Sequence, residues 1–383
     1  MNRVGVIGYG NRMKRIVPIL LKTEQVKIAA VADIDVEAAK RAAQENGVTD
    51  CRFYSSAEEM LEKEALDGVC IGTRCSTHAR YARMVADKRI PLFLEKPVGT
   101  TYEDLNSLKD VLYWSDKTVV SFPLRLSEPV TYLKQMIDSG RIGDVAHVQA
   151  YNNAPYGRLY YQTWYRDEAE TGGLFLQKAT HDLDYIQYIL GDAKPVAVCA
   201  MRSKQVFKGS KPAGLRCEDC DEREACLDSP ENVRKHFPND VPGEYCCYAT
   251  DTGNEDSGSV LVRYDNGMHV AYSQNFVVRA DAGRRGARFI GYLGTLELDF
   301  VSGTVTLYHH MEKKTQAHTF DVSGPSHFGG NDALVHNFVG VMQGGERSKS
   351  TLREGILSAE LCLAATLSSQ TDRFVSVCPV ENG

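Results

Sequence analysis

Gly8-Tyr9-Gly10-Asn11-Arg12 is the segment whose residue types most clearly fit a chemical task. It lies between an apolar run and an amphipathic stretch, so the two glycines fall where a strand turns into a helix. A backbone passing close to a pyrophosphate has no room there for side chains at positions 8 and 10. The helix that follows offers unpaired N–H groups and a positive dipole end to the phosphates. The next strand ends in Val31-Ala32-Asp33, at the spacing where an acidic side chain meets the ribose hydroxyls. A carboxylate at that point repels a 2′-phosphate, so the expected ligand is NAD rather than NADP. Met13 stands where a third small residue often lets helix and sheet approach.

A second group of side chains suits small-molecule recognition. Asn152, Asn153, Tyr156, Tyr160, Tyr161, Trp164 and Arg166 combine aromatic faces with hydrogen-bonding tips, a mixture common in sugar sites, although some of these rings must serve as core. Arg125 is a candidate for the same cleft. Downstream, Thr180 is placed to cap a helix whose first turn carries Asp182 and Asp184. On that helix His181, Asp184, Tyr185 and Tyr188 recur at helical spacing and give one face a polar, aromatic character. An imidazole there can relay protons; the competing reading is a structural histidine. Arg125, Tyr156, Tyr160, Trp164, Arg166 and Asp184 form the expected substrate-binding set.

Five of the eleven cysteines cluster as Cys217-x2-Cys220, Cys226 and the pair Cys246-Cys247. Thiolates from Cys217, Cys220, Cys226 and Cys246 match the donor set of a tetrahedral structural zinc. Such a metal would give shape to a polar stretch with little apolar content. Disulfides are the alternative outside a reducing compartment. Cys51, Cys70, Cys75, Cys199, Cys362 and Cys378 lie scattered in apolar stretches and read as small core hydrophobes.

The elements that must position these residues follow from periodicity. Apolar runs of strand length at 4–8, 26–33, 68–73, 91–94 and 119–122 alternate with helical patterns at 11–22, 36–46, 78–87 and 101–113. Gly47 is placed to end the second of these helices. This alternation predicts a doubly wound parallel α/β sheet over residues 1–122. A helix at 128–139 and a strand at 145–151 open a different pattern. Strands at 196–201, 260–264, 270–278, 288–292, 295–300 and 304–309 predict a mostly antiparallel, open α+β sheet domain over 123–383. Helices at 331–342 and 352–369 close the chain, and about 204–257 reads as an insertion carrying the cysteine cluster.

The chain has 383 residues and a formal net charge of −6, which argues against nucleic acid or an anionic membrane surface as its main partner. Its N-terminal apolar run is too short for an export signal or a membrane span, so a cytoplasmic location is expected.

Leu94-Glu95-Lys96-Pro97, at the end of a later strand and after a GxGxR turn, resembles the Gfo/Idh/MocA oxidoreductases. Glucose–fructose oxidoreductase and inositol dehydrogenase belong to that family. Gly172-Gly173-Leu174 followed by His181-Asp182-Leu183-Asp184 extends the likeness, and so does Ser326-His327-Phe328-Gly329-Gly330-Asn331-Asp332. The resemblance covers essentially the whole chain except the cysteine insertion. It implies an N-terminal Rossmann domain and a second domain whose open sheet often serves oligomerisation, here a homodimer or homotetramer. It places Lys96 beside the nicotinamide and the substrate hydroxyl, where a cation stabilises a developing alkoxide. The expected cofactor-binding set is Gly8, Gly10, Asn11, Arg12, Asp33, Ile34, Thr73, His78, Glu95 and Lys96.

The chain departs from the family at one point that bears on chemistry. Many dehydrogenase members carry an aspartate four residues before the motif histidine and a glycine two before it. Here those positions hold Gln177 and Ala179, with Lys178 between them. His181 therefore lacks the usual orienting carboxylate, and Lys178 adds a cation suited to an anionic substrate or an enolate-like intermediate. The expected function is NAD-dependent oxidation of a hydroxyl on a sugar, polyol or sugar derivative. It is expected to act where the two domains meet, with Lys96 and His181 handling protons and Lys178 assisting. The alternatives are a redox-neutral NAD-dependent glycosidase, working by transient C3 oxidation and elimination, and a dinucleotide-sensing regulator.

Overall fold

A parallel sheet covered on both faces demands near-continuous apolar strands, and Val4, Val6, Ile28, Val31, Val69, Cys70 and Phe93 supply them. In the computed structural model they build β1 (Asn2–Ile7), β2 (Val26–Ala32), β3 (Arg52–Tyr54), β4 (Gly68–Ile71), β5 (Leu92–Leu94) and β6 (Thr118–Val120). The strands lie in the order β3-β2-β1-β4-β5-β6, with every neighbouring pair parallel. The structure describes residues 1–237, 242–324 and 327–377; Ser326 of the Ser-His-Phe motif and Cys378 lie outside them.

Local signals set the crossover helices. Asp35 caps Val36–Glu45 by accepting from the Ala38 N–H, and Ser56 caps Ala57–Lys63 through the Glu59 N–H. Thr101 and Asp104 form a reciprocal capping box at Tyr102–Lys109. Gly47, in the left-handed region at φ +77°, follows the second helix as expected. The three-residue β3 and the helix after it were absent from the sequence reading, because so short an edge strand carries no period to detect.

The chain divides into two units, 1–128 with 324–360, and 129–323 with 361–383. The expected boundary at residue 122 falls close to the end of the first segment. Helix Gly330–Met342 contributes Leu334, Val335, Phe338, Val339 and Val341 to the core of the first unit, with the Phe338 ring edge-on to Phe93 at 5.7 Å. Their burial, not chain order, assigns the segment.

In the second unit, β7 (Val145–Asn153), β8 (Pro195–Ser203), β9 (Ser257–Tyr264), β10 (His269–Asn275), β11 (Arg284–Gly291), β12 (Gly294–Asp299), β13 (Thr304–His309), β14 (Thr315–Thr319) and β15 (Val375–Ser376) form one sheet. Its order is β14-β13-β12-β11-β7-β10-β9-β8-β15. The pairings are antiparallel except β10 with β7. Alternation is clear on β9, where Val260, Val262 and Tyr264 face inward between exposed neighbours. Among the described residues no helix is long and apolar enough to cross a membrane.

Candidate functional site

The glycine turn of the first unit separates two reasons for being glycine. Gly8 has φ +81°, and a Cβ there would lie 2.7 Å from Thr73 Cγ2 and 2.9 Å from Thr73 Cα. The protein's own backbone therefore excludes a side chain at position 8. Gly10 is different. It is exposed, and a Cβ would meet nothing nearer than the Gly72 carbonyl at 3.8 Å. The fold does not require glycine at position 10, and the open space it leaves fits a ligand passing close to the backbone. The Gly10 carbonyl accepts from Lys14 at 3.0 Å, which starts helix Met13–Lys22 directly beside that space.

Asp33 is tied to the turn. Its Oδ2 accepts the Tyr9 N–H at 2.7 Å and its Oδ1 the Asp35 N–H at 2.9 Å. A carboxylate has about four acceptor positions, so these two bonds orient the group and leave capacity for hydroxyl donors. Beside it Ile34 is 97% exposed, an aliphatic face at the strand end that fits one side of a flat base. Met13 is fully buried, and its partner is Gly72, where a Cβ would fall 2.5 Å from Met13 Cγ. The small residue that lets helix and sheet approach has moved from the helix to the neighbouring strand end.

Arg12 and Glu95 point to each other. Arg12 Nε donates to Glu95 Oε1 at 2.6 Å, and Nη2 donates to Ser121 Oγ at 3.0 Å and Asn331 Oδ1 at 2.8 Å. The guanidinium thus joins the turn to β5, the end of β6 and helix Gly330–Met342. His78 is buried, with Nδ1 2.7 Å from the Pro97 carbonyl and Nε2 3.3 Å from that of Thr73. Burial pushes its pKa below the ordinary imidazole value. It links the Thr73 loop to the Lys96–Pro97 segment, whose peptide bond is cis. Lys96 is half-buried just past β5, between buried Glu95 and Pro97. Asn11 is exposed on the glycine turn.

Arg125 lies in the first unit, buried, with Nη1 donating to Glu354 Oε1 at 2.6 Å and to the Lys349 carbonyl at 3.1 Å. That ion pair commits its charge to the protein's own chain.

The second unit gathers its own cluster. Phe175–Ala179 form a π-helical turn that runs straight into helix Thr180–Leu190, so Thr180 is not the cap that the sequence suggested. Asp182 is 1% exposed and receives Asn152 Nδ2 at 2.8 Å, Tyr272 Oη at 3.0 Å and Arg285 Nε at 2.7 Å. It fastens the helix to β7, β10 and β11. Lys178, on the π turn, is only 7% exposed. Its Nζ donates to the Tyr156 hydroxyl, 4.5 Å above that ring's centroid and 6.0 Å from that of Tyr160. Tyr156 itself is 42% exposed. His181 is half-buried, Asp184 is buried, and Tyr185 packs against Phe300 at 5.5 Å. The polar face expected on this helix is therefore partly core.

Trp164 stacks on Tyr165 at 4.0 Å. Arg166 is buried against the insertion, donating to Asp251 and to Thr252 Oγ1, with its guanidinium 4.9 Å from the Tyr245 ring centroid. It anchors that segment, a role its sequence position does not disclose.

The zinc expected in the insertion finds no support. Among the described residues no group of three or more His, Cys, Asp or Glu side chains is arranged to hold a metal. Cys217 and Cys246 are buried, Cys220 and Cys226 half-buried, and all four are free thiols. Burial pushes the Cys217 thiol up to about 12 and raises those of Cys226 and Cys246. Charge and backbone bonds also hold the segment. Asp228 accepts from Arg158 Nε and Tyr248 Oη, both at 2.8 Å, and Asp256 Oδ2 receives the Gln205, Val206 and Phe207 N–H groups.

Comparison with known proteins agrees with this architecture. Residues 2–121 match the family model described as an oxidoreductase family with an NAD-binding Rossmann fold, and residues 130–297 match the GFO/IDH/MocA C-terminal domain. The rhizopine catabolism protein MocA of Rhizobium meliloti is 26% identical over 211 residues, 54% of this chain and 63% of that protein. Inositol 2-dehydrogenase of Rhizobium meliloti (strain 1021) is 28% identical over 213 residues, 55% of this chain and 62% of that protein. The match spans less than two thirds of the length of these curated relatives. A levoglucosan dehydrogenase solved in complex with NADH shares the fold at a TM-score of 0.79 and 16% identity, covering 99% of this chain and 100% of that one. Myo-inositol 2-dehydrogenase from Lactobacillus plantarum does so at 0.71 and 18%, covering 98% and 99%. The chain belongs to the Gfo/Idh/MocA oxidoreductase family.

Proposed function

We propose that the chain is an NAD-dependent oxidoreductase acting on a hydroxyl of a sugar, polyol or sugar derivative. The observation that carries this reading is the turn at residues 8–10. A glycine that the fold does not need leaves open space, beside a carboxylate pre-oriented by the Tyr9 N–H. Gly8, Gly10 and the start of helix Met13–Lys22 would hold the pyrophosphate, Asp33 the ribose and Ile34 the base, with Asn11, Thr73 and His78 lining the same strand ends. The orientation of Asp33 favours NAD over NADP, since a 2′-phosphate would face a fixed negative charge. Bound there, NAD supplies the two-electron hydride acceptor.

The chain's own residues do the rest. Lys96 places a cation where negative charge develops on the substrate oxygen, and His181 takes part in moving the proton. Lys178 adds positive potential on the side where many relatives carry an aspartate. Tyr160 and Trp164 offer ring faces to a sugar. Arg12 and Glu95 hold the turn and the Lys96 segment in register, positioning them without touching substrate. A cytoplasmic location and a homodimer or homotetramer belong to the same reading.

The test is NADH formation from a panel of inositols, anhydrosugars and aldoses, run with NAD and with NADP. The expected result is turnover with NAD and a fall of about 10²-fold or more in kcat for Lys96→Ala. Release of aglycone from aryl glycosides without NADH accumulation would contradict it in favour of redox-neutral glycoside cleavage.

A further inference from the structure

Lys178 presents a problem of charge balance. It is a lysine 7% exposed, and among the described residues no carboxylate pairs with it in an ion bridge. Asp182, one of two buried acids on the adjoining helix, is taken by Arg285, Asn152 and Tyr272. What faces the ammonium is phenol. Tyr156 accepts its hydrogen bond, and the rings of Tyr156 and Tyr160 lie beneath it. A buried cation without an anion is costly, and the nearest group able to become one is the Tyr156 hydroxyl.

The accessibility of the two partners points the same way. Lys178 is buried whereas Tyr156 is 42% exposed, so solvent reaches the tyrosine and not the ammonium. The charged groups acting on that phenol are Lys178 on the π turn, Arg285 on β11 and Asp182 on helix Thr180–Leu190. Burial and Asp182 raise its pKa, and the two cations outweigh them, so it sits below the ordinary phenol value. Tyr160 is driven well above it, chiefly by burial. Two phenols whose ring centroids lie 6.4 Å apart are thus pushed in opposite directions, the arrangement that marks an acid–base group.

We propose that Tyr156 is a catalytic residue, the proton acceptor for the substrate hydroxyl, with Lys178 as the cation that holds its oxygen in the accepting state. This rests on the oxidoreductase reading above. In the forward step the substrate O–H bond breaks and its proton forms the Tyr156 O–H. The electron pair left on oxygen would close the carbonyl, with NAD, when bound, supplying the acceptor for the carbinol hydride. The phenol then returns its proton to solvent. Lys96 remains the group that stabilises developing alkoxide, and His181 a relay.

Two readouts test it. In the cofactor-free protein, tyrosinate absorbance is followed against pH for the wild type, Tyr156→Phe, Lys178→Met and Lys178→Arg. The expected result is a wild-type transition below about 10, the free phenol value. It should be absent in Tyr156→Phe, shifted upward in Lys178→Met and retained in Lys178→Arg. No such transition, or one that persists in Tyr156→Phe, overturns the assignment. With NAD and a turned-over polyol, Tyr156→Phe should lower kcat by about 10²–10⁴-fold with KM little changed. Lys178→Met should move the acidic limb of kcat/KM to higher pH, and Lys178→Arg should restore it. NAD reduction that survives Tyr156→Phe overturns the role of Tyr156 alone. A wild type that reduces no NAD with any polyol overturns the oxidoreductase reading, and this assignment with it.

Discussion

Asp33 and Asp182 are both aspartates fixed by hydrogen bonds, and they do opposite things. Asp33 is half-exposed, held by the backbone N–H groups of Tyr9 and Asp35, and keeps unused acceptor positions. Asp182 is 1% exposed and is met by a guanidinium, an amide and a phenol. The first is oriented and left open, as its proposed ribose-binding role requires. The second is consumed, as a structural fastener must be. Two short motifs that look equally functional in sequence thus separate once their partners are known.

The fastener gives the largest expected effect. Arg285→Met leaves Asp182 as a buried charge without its counter-ion and should destabilise the second unit by ~3–5 kcal/mol, read as a lower denaturant midpoint. Gly8→Ala comes next. It forces a side chain onto Thr73 at positive φ, at a cost of about 1–3 kcal/mol in the first unit by thermal unfolding. Asp33→Ala should act mainly on the ligand, weakening NAD on the order of tenfold in a binding titration. Equal NAD affinity in Asp33→Ala would remove the contrast between the two aspartates.

The smallest effect concerns acid. Burial would raise the Asp228 carboxyl, but bonds from Arg158 and Tyr248 and the charge of Arg279 hold it below the ordinary aspartate value. A depressed folded-state pKa contributes stability that is present above the unfolded value, about 3.9, and is lost as pH falls through the folded one. Acid unfolding followed by tryptophan fluorescence should therefore move to higher pH in Asp228→Asn.

How much was legible in sequence follows from the range of each interaction. The strand–turn–helix at residues 2–22 and the spacing to Asp33 rest on neighbours and on period, so they could be read directly. Arg125 and Arg166 could not, because their partners lie 229 and 85 residues away, at Glu354 and Asp251. Both were placed among substrate ligands, and both are spent on the protein's own ion pairs. The return of residues 324–360 to the first unit is likewise a matter of packing, invisible to any local pattern. The pairing of Lys178 with Tyr156 is hidden for the same reason, although Lys178 stands out in sequence beside Gln177, which takes the place of the family's usual aspartate. In the insertion, Asp228 and Asp256 gather hydrogen bonds from distant residues, and neither stands out in sequence.

Gly10 gives the most direct test of the account. Calorimetric titration of NAD into the wild type and Gly10→Ala, on samples with matched thermal midpoints, isolates the space that the fold itself does not need. The account predicts that the wild type binds NAD and that Gly10→Ala binds it at least about tenfold more weakly, a difference of ~1.4 kcal/mol, at unchanged stability. Equal affinity in the two proteins would contradict it.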